Sequence, residues 1–411
     1  MAQVDRMQEL DIRASAQSEI SRFLGLNANA NAPLLEHLCL ESLAAPSPSP
    51  LDVMPREMPS LRRLNLRNIN ICALPPLSRL TYLKISFDPH ISIPSSSLLS
   101  SLQYSPNLEE IIVSGVTKDD FTEPLQRVEL PNLSRLSITS TDLECSAIFA
   151  KLEYPLTATV AFANKAPPVG VTNFSNVANI CRRLLDPRAP AVYEVKCNGS
   201  LSEGSFQLTV SCQEPPTWGP SEKLTISMAI TSHSYSTAFV ALCSALPLEI
   251  ALILSVRGLS DMTHMQWATI FSRCKRIQQL HFDDIRLSLF RTLIKSHKGN
   301  SSRFLPKLQA IHLLRCIVIH PEDRYAELLK SSPFDVIDKF FKQRKRTKMP
   351  VKVVNIKMCQ ITKAAVLALE QYAKVDWDGE EEEEEEEDED DYYYYSNLLN
   401  DDPFVDLYGS D

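Results

Sequence analysis

The side chains best able to do chemistry in this 411-residue chain are eight histidines and ten cysteines. Their spacing limits what that chemistry would be. The cysteines (Cys39, Cys72, Cys145, Cys181, Cys197, Cys212, Cys243, Cys274, Cys316 and Cys359) stand singly, with no C-x-x-C pair. That pattern reads as reduced, buried small hydrophobes rather than disulfides or zinc ligands. His37, His281 and His312 each fall at an outward position of a predicted strand. Three on one face would ligate a metal if their strands were neighbours, but at most two of these are close in chain order, and unliganded surface histidines are the plainer reading. The chain contains no H-E-x-x-H, G-x-S-x-G, G-x-x-x-x-G-K-[ST] or dinucleotide glycine fingerprint. No enzyme activity, cofactor or metal is expected.

Two runs of charge stand apart. Lys342 to Lys348, KQRKRTK, is either an anion-binding or nuclear-localisation patch, or the cationic end of a helix predicted over Val336 to Arg346. Glu380 to Asp391 is twelve consecutive acids, which serve either as a solubilising tail or as a surface for a basic partner. Without them the chain has 42 basic residues against 39 acids, so the net charge of -9 belongs to this one segment. Tyr392 to Tyr395 follow, and residues 379–411 are expected to be a disordered acidic, tyrosine-rich tail.

What would position any of these groups is an apolar period. Pro59 to Ile71 reads L-x-x-L-x-L-x-x-I-x-I on Leu61, Leu64, Leu66, Ile69 and Ile71. Leu64 and Leu66 alternate as in a half-buried strand, with Arg63, Asn65 and Arg67 on the opposite face. The motif recurs with starts at 7, 35, 61, 80, 108 and 133, spacings of 28, 26, 19, 28 and 25. Leucine-rich repeats run about 20–29 residues. It returns as Ile277-Leu280-Phe282-Ile285, Leu308-Ile311-Leu313-Cys316 and Val351-Val354-Ile356-Cys359, the cysteines placed where a small side chain tucks into the turn. Helices are predicted over Ser95 to Leu102, Cys145 to Leu152, His264 to Cys274, Leu287 to Ser296, Asp323 to Ser331 and Lys363 to Tyr372.

This gives an α/β fold: a right-handed leucine-rich-repeat solenoid, one curved parallel sheet with helices on its convex side. Regular leucine-rich repeats fill 1–153, and irregular repeats with insertions fill 154–220. Within the latter, AVYEVKCNG and SFQLTVSCQ form a predicted hairpin across a Gly/Ser/Asn turn. C-terminal leucine-rich repeats and a cap fill 221–378. Ala238 to Val256 is apolar, but Pro247 and Glu249 interrupt it, so a buried helix leading into a buried strand is expected rather than a membrane span. With a polar N-terminus lacking a signal core, the expected location is cytoplasmic or nuclear.

Solenoids bind proteins on the concave strand face. The outward residues expected to meet a protein target are Arg63, Asn65, Arg67, Tyr82, Lys84, Glu110, Ile112, Arg135, Gln279, His281, Asp283, Asn355 and Lys357. An ordinary solvated sheet face remains the alternative. Their mixed signs do not suit nucleic acid.

The segments APLLEHLCLES, SLLSSLQYSPNLEEI, LPNLSRLSI, LPLEIALILSV, HMQWATIF, FKQRKRTKMPVKVVNIKMCQI and KVDWDG, in this order before an acidic run, resemble the leucine-rich-repeat region of the F-box-like proteins of mushroom-forming (basidiomycete) fungi. The resemblance implies a non-enzymatic recognition scaffold like the substrate-binding part of a ubiquitin-ligase receptor, in which an F-box docks a Skp-type adaptor. An F-box would open with an L-P-x-E-[IL]-like helix ahead of the repeats. This chain enters its first repeat at Met7, and EISRFLGL at Glu19 to Leu26 lies between repeats without the proline. Adaptor docking is therefore not expected, and a truncated decoy or structural paralogue without ligase recruitment is the alternative.

Overall fold

A computed structural model of the chain describes residues 6–26, 32–44, 51, 58–69, 77–87, 93–117, 127–140, 143–165, 180–181, 186, 191–200, 205–213, 220–229, 235–246, 248–259, 262–285, 293, 304–316, 333–359 and 361–379. Its strands, in chain order, are β1 (Glu9–Ala14), β2 (His37–Ser42), β3 (Arg63–Arg67), β4 (Tyr82–Ser86), β5 (Ile93–Pro94), β6 (Glu110–Thr117), β7 (Val128–Glu129), β8 (Arg135–Ser140), β9 (Leu152–Glu153) and β10 (Thr159–Asn164). They continue with β11 (Val192–Ser200), β12 (Ser205–Gln213), β13 (Pro220–Ala229), β14 (Ile253–Arg257), β15 (Gln279–Asp283), β16 (Ala310–Leu314), β17 (Val353–Lys357) and β18 (Lys374–Trp377). The helices are α1 (Gln17–Leu26), α2 (Ser95–Leu102), α3 (Tyr235–Ala245), α4 (His264–Arg273), α5 (Pro333–Arg346) and α6 (Lys363–Glu370).

Sixteen strands form one open, mostly parallel sheet in the order β1-β2-β3-β4-β6-β8-β10-β13-β12-β11-β14-β15-β16-β17-β18, with β5 beside β6. A mixed α/β architecture on a largely parallel sheet thus agrees with the sequence expectation. β7 and β9 pair separately. The period-2 pattern decides the two faces. In β2 and β4 every second residue is buried, and Leu38, Leu40, Leu83 and Ile85 are at most 1% exposed. The helices cover that buried face, because their apolar stripes join the same core: Ile20 and Leu24 from α1, Leu98 and Leu102 from α2, Phe340 and Phe341 from α5. Phe206 of β12 meets Phe239 of α3 at 5.9 Å between ring centres, and Phe239 meets Trp267 of α4 at 6.1 Å. The Ala238 to Val256 stretch resolves as α3 leading into β14; among the described residues no helix is long and apolar enough to cross a membrane.

The middle of the sheet is more involved than a simple array. The predicted hairpin is present as β11 and β12, antiparallel from Val192↔Cys212 to Ser200↔Ser205. β13, at the start of the segment expected to hold C-terminal repeats, is antiparallel to β12 and parallel to β10. The chain therefore leaves β10, builds β11 three places away, and fills the gap backwards. Residues 143–150 form a 3-10 helix rather than an α-helix over Cys145 to Leu152. Ser, Cys and Ile are indifferent helix formers, and Leu152 is committed to β9. The helices predicted over Leu287 to Ser296 and Asp323 to Ser331, and the tail after Gly379, lie outside the described residues but for Leu293.

One turn recurs. The residue following β3, β14, β15, β16 and β17 has positive φ: Asn68, Gly258, Asp284, Arg315 and Met358. The next residue is buried each time: Ile69, Leu259, Ile285, Cys316 and Cys359. The slot read as requiring a small side chain therefore also takes isoleucine and leucine. Neighbouring turns are tied by N–H donation to the next strand's last carbonyl: Asn68 to Ser86 at 2.8 Å, Gly258 to Asp283 at 3.0 Å, Asp284 to Leu314 at 3.0 Å and Arg315 to Lys357 at 3.1 Å. At the last turn the acceptor is a side chain: Met358 N donates to Asp378 Oδ2 at 2.6 Å. Cysteines follow the core as expected, except that Cys39 sits half-buried on the outer face; Cys72 and the side chain of Cys145 are outside the described residues.

Leu64 is fully buried, so Leu64→Ala is expected to lower unfolding free energy by about 2–5 kcal/mol in urea titration. Arg63→Ala, which loses only a guanidinium lying over Tyr82, is expected to cost under about 1 kcal/mol. At Gly258 an added Cβ would run into the carbonyl oxygen of Gly199. Gly258→Ala should therefore cost at least about 1–3 kcal/mol in the same titration.

Candidate protein-binding face

The pleat that buries Leu64 turns its neighbours outward, and the strand register lines them up across the sheet. One row runs Glu9–His37–Arg63–Tyr82–Glu110–Arg135–Thr159. A middle row begins Asp11–Cys39–Asn65–Lys84–Ile112–Ser137–Ala161–Thr225–Thr209. It ends Lys196–Ser255–His281–His312–Asn355–Asp376. All thirteen sequence-predicted contact residues lie on this outer face. They form two groups: Arg63, Asn65, Arg67, Tyr82, Lys84, Glu110, Ile112 and Arg135 on β3 to β8, and Gln279, His281, Asp283, Asn355 and Lys357 on β15 and β17. Six strand spacings, roughly 29 Å, separate β8 from β15.

The first group is organised by carboxylates set between cations. Glu41 takes Arg67 at 2.8 Å and Arg13 at 3.5 Å. Its side chain is 13% exposed, while the two arginines are about 60% exposed, so the cations are what a partner would meet. Arg135 holds Glu110 at 3.1 Å, and the Arg63 guanidinium lies 5.7 Å from the centre of the Tyr82 ring. Partial burial, then the Glu110 charge, raise the Tyr82 pKa. Asn65 Nδ2 donates to Cys39 Sγ at 3.5 Å, but its Oδ1 is buried without a hydrogen-bond partner among the described residues. A buried acceptor left unpaired is costly and gains from any donor brought to it. Between the groups the middle row carries the small uncharged side chains Ser137, Ala161, Thr225 and Thr209, while Lys223 stands beside it on β13.

The second group repeats the charge arrangement. Asp283 lies between Arg257, at 3.4 Å, and Arg315, whose Nε donates to Oδ1 at 2.8 Å while Nη2 takes the other oxygen. Beside it is a polar cluster that strand register alone creates. His281 and His312 face each other with ring centres 4.2 Å apart. Asn355 Nδ2 lies 2.9 Å from His312 Nδ1, where an amide N–H can only donate. Glu194, 8% exposed, accepts from Ser255 Oγ at 2.7 Å and pairs with Lys196 at 3.3 Å. Burial, then the neighbouring His312, pull the His281 pKa down to about 4; Glu194 opposes and Lys196 assists. His312 is lowered by burial and Lys357.

His37 stands on β2, far from this pair, so the three histidines do not meet. Among the described residues no three His, Cys, Asp or Glu side chains converge where a metal ion would sit. Sequence reasoning missed Glu194, Lys196, Ser255, Arg257 and Arg315. The usable signal was that Arg257–Gly258 aligns with Arg67–Asn68 as strand end and turn. The basic run closes α5, as expected of a cationic helix end, but its members do not share one environment. Arg344 is 2% exposed and donates to Met349 O at 2.8 Å, Leu305 O at 3.0 Å and Leu308 O at 3.2 Å, and burial lowers its pKa to about 10. It ties the end of α5 to the approach to β16.

Set against known proteins, the chain matches no family model and no curated protein.

His281 binds a proton less readily folded than unfolded, so the unfolded state takes up more protons as pH falls from about 6.5 to about 4. Stability should decline through that window. His281→Gln should flatten the decline, read as the change in urea midpoint between about pH 7 and about pH 4.5.

Proposed function

We propose that the chain is a non-enzymatic protein-recognition scaffold, a leucine-rich-repeat solenoid that reads its target on the outer face of the sheet. The observation that carries this is the middle row, in which fifteen strands present outward side chains in unbroken register from Asp11 to Asp376. Fourteen spacings make it roughly 67 Å long. An extended face with positioned cations, small side chains along the centre of its middle row and, among the described residues, an unpaired acceptor at Asn65 suits a folded protein target better than a small molecule. The recurrent strand, positive-φ turn and buried anchor support the repeat reading, and with the sequence resemblance they favour kinship with the substrate-binding part of an F-box/leucine-rich-repeat receptor.

The adaptor half of such a receptor is a separate matter. The segment with a faint likeness to an adaptor-docking helix is α1, and it spends Ile20 and Leu24 on the chain's own core. That favours a second reading, a decoy that holds targets without delivering them to a ligase.

The test is proximity labelling in the native cell with a face variant, Lys84→Glu with Arg135→Glu, beside a control on the exposed face of α6, Glu370→Lys. A set of neighbours lost in the face variant and kept in the control is expected; identical sets from all three would sink the proposal. For a labelled target, half-life falling with the chain's expression marks a receptor, and half-life rising marks a decoy. Purified Skp-type adaptor is expected not to bind.

A further inference from the structure

The two charge runs have no place in that reading, and the structure separates the basic one into parts with different fates. Arg344 is consumed by three carbonyls, and Lys342 pairs with Asp338 at 2.8 Å. Lys345, Arg346 and Lys348 remain exposed at the end of α5, and Lys352 and Lys374 are exposed at the starts of β17 and β18. These five belong to one surface. The Lys374 N–H donates to the Lys352 carbonyl at 2.9 Å, and Lys374 is in register with Val353, so both lysines lie at the same end of the last two strands. Lys345 Nζ donates to Gln371 O at 3.1 Å and lies 5.6 Å from the centre of the Tyr372 ring, which joins the helix end to the approach to β18. Among the described residues none of the five is ion-paired with a carboxylate.

The acids begin a short distance away. β18 is the edge strand and ends at Trp377; the run of twelve starts at Glu380, and residues 380–411 contain no lysine or arginine. The four residues of β18 span about 13 Å. Twelve extended residues reach up to about 40 Å, enough to return past Lys374 to the end of α5. A single exposed ion pair contributes little, but five cations without a carboxylate partner among the described residues and a tethered run of twelve acids would act together. Tethering also sets a millimolar-scale effective concentration.

We propose that Glu380 to Asp391 docks within its own chain on the surface formed by Lys345, Arg346, Lys348, Lys352 and Lys374. The docked run shields this cationic end of the sheet from other polyanions, nucleic acid included, and a target reaching it must first displace the tether.

The probe is a fluorescein-labelled dodecaglutamate peptide, and the receptor is the full chain. A variant with all twelve acids changed to the matching amides should bind the peptide at least about ten-fold more tightly than the unaltered chain at about 50 mM salt, and lose it at about 0.5 M. Adding Lys345→Gln, Lys348→Gln, Lys352→Gln and Lys374→Gln to that variant should abolish binding. Equal affinity in the amide variant and the unaltered chain, or binding indifferent to the lysines, overturns the proposal. Carbodiimide cross-linking of a mixture of isotopically light and heavy unaltered chains is the independent arm. Links from the acidic run to these lysines within one copy are expected; no such links, or links only between copies, overturn it.

Discussion

A parallel strand gives half its backbone hydrogen bonds to one neighbour and half to the other, and it reaches its next strand only through a long crossover. Everything else in this molecule answers to that constraint. The crossovers must return to the same level each time, and five units leave the strand through the same turn. Asn68, Gly258, Asp284, Arg315 and Met358 supply it by adopting a left-handed conformation that only glycine adopts freely. Four of the five carry a side chain there. The strain is tolerated because the next residue drops into the core and the turn's N–H reaches the adjacent strand.

The same stacking explains the charge pattern of the outer face. Residues one strand apart are about 4.8 Å from each other, so like charges in register would repel. Glu41 between Arg13 and Arg67, and Asp283 between Arg257 and Arg315, relieve that repulsion while leaving each trio with a net positive charge. His281 against His312 is the same problem met differently, with both rings held toward neutrality. The face is thus pre-arranged by its own internal balance before any target arrives.

Much of this was legible in the sequence because the period-2 code is local. Leu64 and Leu66 announce their own burial, and Ser95 to Leu102 and His264 to Arg273 announce their helices. What was not legible was set by distance along the chain. The backward filling of β11, β12 and β13 depends on which edge each strand finds, and the hairpin turn alone does not say. Glu194 meets Ser255 only through that rearrangement. Arg344 looked like one more surface cation in KQRKRTK; its acceptors, Leu305 and Leu308, lie more than thirty residues earlier.

The bond from Met358 N to Asp378 Oδ2 ends the series of turns. In the preceding units the acceptor is a peptide carbonyl, and a peptide that accepts also carries an N–H to pass the relay onward. A carboxylate accepts and has no donor to pass on. Asp378 therefore closes the turn after β17 with a side chain where the earlier turns use a peptide. Gly379, the last described residue, has a positive φ that glycine adopts without strain.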